Sequence, residues 1–247
     1  MALDQIGDGN EGEMSFLEHL ESLRWHLIRA LIAIVIVTIA AFIAADFVID
    51  TVLFGPSRVD FWTYRKMMAS QFMTHITVSF VAGLIIGFPY AFWEIWRFIK
   101  PGLHSAEKKA SRGATFSVSL LFLLGILFGY FLIAPISIRF FATYQISTVL
   151  ENKFDLSSYV STVTMIVFGS GLLFQLPVIV FFLTKAGLIS SHLMKTYRKH
   201  AIIVILVLGA MITPPDPFSQ ILIALPLMVL YQISIVIAKR IEKRKAE

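Results

Sequence analysis

Leu27-Ile28-Arg29-Ala30-Leu31-Ile32-Ala33-Ile34-Val35-Ile36-Val37-Thr38-Ile39-Ala40-Ala41-Phe42-Ile43-Ala44-Ala45 is the stretch that decides the fold. It carries one charge, Arg29, near its start. These 19 residues wound as a helix rise about 28 Å, close to a hydrocarbon core about 30 Å thick. Further apolar runs follow at Phe72–Trp93, Ala114–Ala134, Tyr159–Leu183, Ala201–Thr213 and Phe218–Ala238. The whole chain agrees: 57% of its 247 residues are hydrophobic, 15% are charged and the mean hydropathy is +0.78. Soluble domains average about 45–50% apolar and about 25% charged, and one of this size has too little interior to hide the excess. An ordinary cytosolic enzyme, a disordered chain and a repeat solenoid are excluded. Having no cysteine removes disulfides, thiolate metal sites and Cys nucleophiles. The expected fold class is all-α, a polytopic membrane protein with six transmembrane helices.

The basic residues orient it. Of 21 Lys and Arg, 16 fall before span 1 or at its mouth, between spans 2 and 3, between spans 4 and 5, and after span 6. The positive-inside rule then predicts both termini in the cytoplasm, N-in and C-in, as an even number of spans requires. Residues 1–14 contain Asp4, Asp8, Glu11 and Glu13 with almost no apolar periodicity, and read as a disordered cytoplasmic tail with no cleavable signal peptide. Residues 15–240 read as one membrane domain and 241–247 as a basic tail. Ser15 and Glu18 match a capping box, and Phe16, Leu17, Leu20, Leu23 and Leu27 follow at helical spacing. This predicts an amphipathic helix at the inner interface, turning into span 1. Span 5 has 13 residues, Ala201 to Thr213, about 20 Å of helix. The turn Thr213-Pro214-Pro215-Asp216-Pro217 cannot continue a helix, so spans 5 and 6 are expected to form a short, tight hairpin.

Familiar intramembrane chemistry is missing. Phe168-Gly169-Ser170-Gly171 lacks the first Gly of a rhomboid-type protease motif, and no His lies mid-span. Its small residues suit close helix packing. There is no metal motif, phosphate loop or nucleic-acid signature, so no cofactor, metal or catalytic residue is expected. Polar groups within spans are few: Gln175 followed by Pro177, then Gln232 and Ser234, with Pro226 bending span 6. Glu94 lies near the inner end of span 2 beside Trp93, Trp96 and Arg97, where an interfacial Glu–Arg pair is expected. A small-solute secondary carrier is the alternative reading. It would want buried carboxylates or matched broken helices, and no internal repeat is visible.

Four motifs in order carry a resemblance. They are Phe16-Leu17-Glu18-His19-Leu20-Glu21-Ser22-Leu23-Arg24, then Trp96-Arg97-Phe98-Ile99-Lys100-Pro101-Gly102-Leu103 with Glu107-Lys108-Lys109, then Phe174-Gln175-Leu176-Pro177, and Thr213-Pro214-Pro215-Asp216-Pro217-Phe218-Ser219-Gln220. On six N-in helices, this set closely resembles TatC, the receptor family of the twin-arginine protein translocase, from about Phe16 to Arg240. The resemblance implies a membrane receptor in the bacterial inner membrane. It would bind signal peptides bearing two consecutive arginines at its cytoplasmic face and assemble with TatA, TatB and further copies of itself. Transport would be driven by the proton gradient, without covalent chemistry. By position it implies a peptide site of Glu107 with Arg24, Glu21, Leu20, Phe98, Pro101 and Leu103. Thr213 and Gln220 fall in the family's partner-helix cluster, and Pro56 and Asp216 hold outer loops. Two positions depart from the family: Ser22 stands where a Glu usually precedes the Leu-Arg pair, and Gln175 where many members have Glu. Glu21 points about 100° from Ser22 on a helix. Guanidinium groups favour planar, bidentate carboxylates, so Glu107 beside Lys108 and Lys109 is a local acidic exception on a basic surface.

Overall fold

The structure is a computed structural model and describes residues 16–53, 63–64, 69–99, 113–145, 154–212 and 217–246. Helix α1 (Phe16–Ile43) is one unbroken helix of 28 residues. The expected interfacial helix is therefore corrected to the first turns of the same rod, since neither Gly nor Pro interrupts residues 16–43. Beyond Ile43 the chain makes a turn at Ala44, a short helix Ala45–Phe47 and a π-helical segment Val48–Leu53.

Helix α2 (Ser70–Ile99) returns antiparallel to α1. Gly83 and Gly87 let the two backbones touch. A Cβ on Gly83 would sit 2.8 Å from the Thr38 Cα, and one on Gly87 3.0 Å from an Ile34 side-chain carbon. Leu84-Ile85-Ile86 between them completes a Gly-x-x-x-Gly pattern that the sequence reading passed over.

Helices α3 (Ala114–Phe128) and α4 (Ala134–Thr143) are joined through a π-helical segment, Gly129–Ile133, into one span. Helix α5 (Leu156–Leu173) starts on Asp155, whose carboxylate accepts from the Ser158 N–H at 3.3 Å. It runs into α6 (Leu176–Lys185) across Phe174 and Gln175. This is the central span: 50% of its most apolar window is buried, against 11% for α1. Gly125 faces Ser170 and Gly171 so closely that a Cβ would lie 2.6 Å from the Ser170 carbonyl oxygen. Gly169, Ser170 and Gly171 are thus packing residues, and Ser170 is 2% exposed. The Phe88 and Phe122 rings stack at 3.7 Å to tie α2 to α3.

A short helix α7 (Ser191–Thr196) precedes α8 (Arg198–Ile212), and α9 (Pro217–Ala246) completes the chain. Pro226 lies inside α9 without ending it, and the helix continues through the segment expected as a basic tail. Among the described residues, the sequence expectation of six spans meets five helices long and apolar enough to cross a membrane: Leu20–Ile43, Ser70–Ile99, Thr115–Thr143, Leu156–Lys185 and Gln220–Lys243. The expected span 5 corresponds to α8, whose 15 residues rise only about 22 Å. It starts at Arg198, three residues before the expected boundary. Among the described residues, a two-residue parallel pairing, β1 (Thr63–Tyr64) with β2 (Phe154–Asp155), is the exception to the helical pattern.

Candidate functional site

Helices alternate in direction, so the start of α1, the end of α2, the end of α6, the start of α8 and the end of α9 share one end of the bundle. This end carries the excess of Lys and Arg. At the start of α1, Leu20, Glu21 and Arg24 are exposed and Ser22 is half-buried. One turn further, His26 points at α2.

Its Nδ1–H donates to Glu94 Oε2 at 2.6 Å. The Tyr90 hydroxyl donates to Glu94 Oε1 at 3.0 Å, and Arg97 Nη1 lies 3.5 Å from the same oxygen. Glu94 is 1% exposed, whereas the Arg97 side chain is 47% exposed and spreads over the Trp93 ring at 4.8 Å. An Arg97 pair exists, as expected, but it is the loosest of three contacts. The dominant partner is His26, 68 residues away. A buried carboxylate needs donors on each oxygen, and this one draws them from two helices. Phe98 packs its ring 6.4 Å from that of His26, so the exposed start of α1 and the last turn of α2 form one unit. No sequence motif announced the latch: the sequence reading pairs Glu94 with Arg97 and does not single out His26.

Of the expected peptide-site residues, Leu20, Glu21, Arg24 and Phe98 therefore lie together at this end. Glu107, Pro101 and Leu103 lie outside the described residues, as do Thr213, Asp216 and Pro56 and the tail residues 1–14.

Gln175 is 8% exposed at the break between α5 and α6. Its backbone N–H bonds the Leu172 carbonyl instead of Gly171. Its side-chain Nε2 takes up the Gly171 carbonyl and reaches Val118 on α3, both at 3.4 Å. Pro177, with no N–H, enforces the break. The Gln175 Oε1 has no partner among the described residues. Gln220 Nε2 donates to the Leu206 carbonyl at 3.1 Å, so this amide ties α9 to α8 within the hairpin.

A second tie holds α9 to α7. Glu242 accepts the Ser191 N–H at 2.6 Å and the Ser191 hydroxyl, capping α7 from another helix. The Tyr231 hydroxyl donates to the Met194 carbonyl at 2.8 Å. Arg198 offers Nε and Nη2 to the Gln232 amide oxygen at 3.0 and 2.8 Å. Among the described residues, no three His, Asp or Glu side chains converge as a metal site.

The family described as "TatC: Sec-independent protein translocase protein (TatC)" matches residues 18–226. A Sec-independent protein translocase protein TatC of Blattabacterium sp. subsp. Periplaneta americana is 40% identical, over 95% of this chain and 98% of that protein. The TatC of Aquifex aeolicus is 34% identical over 95% and 98%. Among solved structures, the crystal structure of a twin arginine translocase receptor, TatC, superposes with a TM-score of 0.80 at 34% identity, covering 91% of this chain and all of the other. These matches run almost end to end, and the chain belongs to the TatC family, membrane components of a Sec-independent protein translocase rather than enzymes.

Proposed function

We propose that this chain is the receptor subunit of a twin-arginine translocase in the bacterial inner membrane. It binds the twin-arginine signal peptides of folded precursors at its cytoplasmic face and assembles the translocation site with TatA and TatB. Residues 15–240 form its membrane domain, with six spans, N-in and C-in, and α8 as the short fifth.

One observation carries the reading. Leu20, Glu21 and Arg24 stand exposed on α1, and the His26–Glu94 contact ties that helix to the last turns of α2. The sequence then enters the loop with Pro101, Leu103 and Glu107. A two-arginine leader needs a carboxylate and an apolar wall at one place. Glu107 supplies the carboxylate, and Leu20 and Phe98 supply apolar surface. Gln175 is the polar group within the bundle, Thr213 and Gln220 serve the partner helices, and Pro56 and Asp216 shape the outer loops.

Charge-assisted hydrogen bonds contribute about 1.5–3 kcal/mol each. Glu107→Ala is therefore expected to weaken binding of a synthetic arginine-pair leader about 10- to 100-fold, measured by fluorescence titration of the purified receptor. Glu107→Lys lowers it further. Unchanged affinity in both variants would refute the assignment.

The topology has its own test, made simple by the absence of native cysteine. Single cysteines at Leu188 and Lys243, both exposed, are expected to label with an impermeant maleimide from the cytoplasmic side alone. If α8 does not cross, the two label from opposite sides.

A further inference from the structure

The end of α9 continues a lipid-facing stripe into a cationic one. Val229, Ile233 and Val236 are 59%, 46% and 51% exposed on a span that no neighbour covers there. At about 100° per residue, Arg240 lies about 20° and Lys243 about 40° from the Val229 direction, on either side of it. Gln232, the residue that grips Arg198, lies about 60° away and Lys239 about 80°, both on the Lys243 side. Arg198, Lys239 and Arg240 are all exposed, and they fill an arc about 100° wide directly beneath the apolar stripe.

Depth agrees with direction. The 30 residues of α9 rise about 45 Å, which exceeds the hydrocarbon core of about 30 Å and reaches through the headgroup layer. Tyr197, 54% exposed and next in sequence to Arg198, marks the same level with an aromatic ring of the kind enriched at membrane interfaces.

The elements that carry this arc hold few carboxylates. Residues 185–212 contain no carboxylate, and α9 contains one, Glu242. Glu242 projects to the far side of the helix and is spent on Ser191. Arg198 is oriented by a neutral amide oxygen, which fixes the guanidinium and leaves its charge intact. We propose that Arg198, Lys239 and Arg240 bind the phosphate of an anionic phospholipid in the leaflet at the basic end, with its acyl chains along Val229, Ile233 and Val236.

The test uses the full chain in nanodiscs of phosphatidylcholine mixed with phosphatidylglycerol, extracted mildly, with the retained lipids counted by mass spectrometry. Phosphatidylglycerol is expected to be enriched over phosphatidylcholine about tenfold or more, since each cation near the surface attracts anionic lipid appreciably. The Lys239→Gln/Arg240→Gln double variant, which spares the Arg198 contact, is expected to lose most of that enrichment. Arg139→Gln, at the opposite end, keeps it. Enrichment that survives the double variant overturns the site. Displacement of phosphatidylglycerol by millimolar inorganic phosphate overturns the lipid assignment in favour of a free-anion site. Neither outcome depends on whether arginine-pair leaders bind.

Discussion

Glu94→Ala is expected to lower stability by about 3–5 kcal/mol, the range for removing one partner of a buried ionic contact. The carboxylate is 1% exposed and receives donors from His26, Tyr90 and Arg97. Deleting it leaves an imidazole and a phenol without acceptors at the α1–α2 seam. Unfolding in detergent, followed by far-UV circular dichroism against a denaturant titration, measures the loss. Glu94→Gln keeps an acceptor for His26 and is expected to cost less. The double variant His26→Leu/Glu94→Met, which removes both poles and keeps volume, is expected to recover much of the loss, because desolvating the pair offsets most of what their attraction contributes. A double variant as unstable as Glu94→Ala would mean that the latch is not the interaction at stake. Arginine-pair leader binding is expected to fall with Glu94→Ala as well, since the latch sets where the start of α1 stands relative to the loop after α2.

Gly83→Val should cost about 3 kcal/mol, the upper part of the range for overpacking. The added Cβ would lie 2.8 Å from the Thr38 Cα and 2.9 Å from its Cβ. One of those atoms is backbone, so α1 itself must move. The span of α1 is only 11% buried, and its contact with α2 is its main attachment, so the shift weakens its hold on the bundle. Trimming the opposing residue with Thr38→Ala is not expected to rescue Gly83→Val. Gly169 gives the contrast: the three atoms nearest a Cβ there are all Ile212 side-chain atoms, at 2.6 to 2.9 Å. Ile212→Ala should therefore rescue Gly169→Ala. Thermal unfolding of the four variants checks both statements, and rescue at position 83 would show that the seam yields.

Much of the fold was legible because its causes are local. Apolar runs located each long span, although the helices run up to 11 residues past the expected ends, as at Phe16 and Thr143, and Pro177 marked the break beside Gln175. The prolines from 214 to 217 agree with α8 ending at Ile212 and α9 starting at Pro217. The same runs misjudged α1, because an amphipathic pattern says which side is polar, not whether the helix bends. The short span expected at Ala201–Thr213 corresponds to α8, whose 15 residues rise about 22 Å, less than the hydrocarbon core. Leu20, Glu21, Arg24 and Phe98 were singled out from contiguous motifs, and the structure places all four at the basic end of the bundle. The His26–Glu94, Gln175–Val118 and Ser191–Glu242 contacts could not be read from such motifs, since 68, 57 and 51 residues separate the partners.

The sequence alone determined that the chain is a helical membrane protein, which end is basic, and where helices must break. Those are matters of composition, length and backbone chemistry within a few residues. Only the tertiary structure decided which faces meet. Lipid tails are as apolar as leucine, so hydrophobicity does not choose one helix face over another inside a bilayer. The choice falls to glycines that admit a neighbouring backbone, as at Gly83 and Gly125, and to the few polar groups that must find a partner, as Glu94 finds His26.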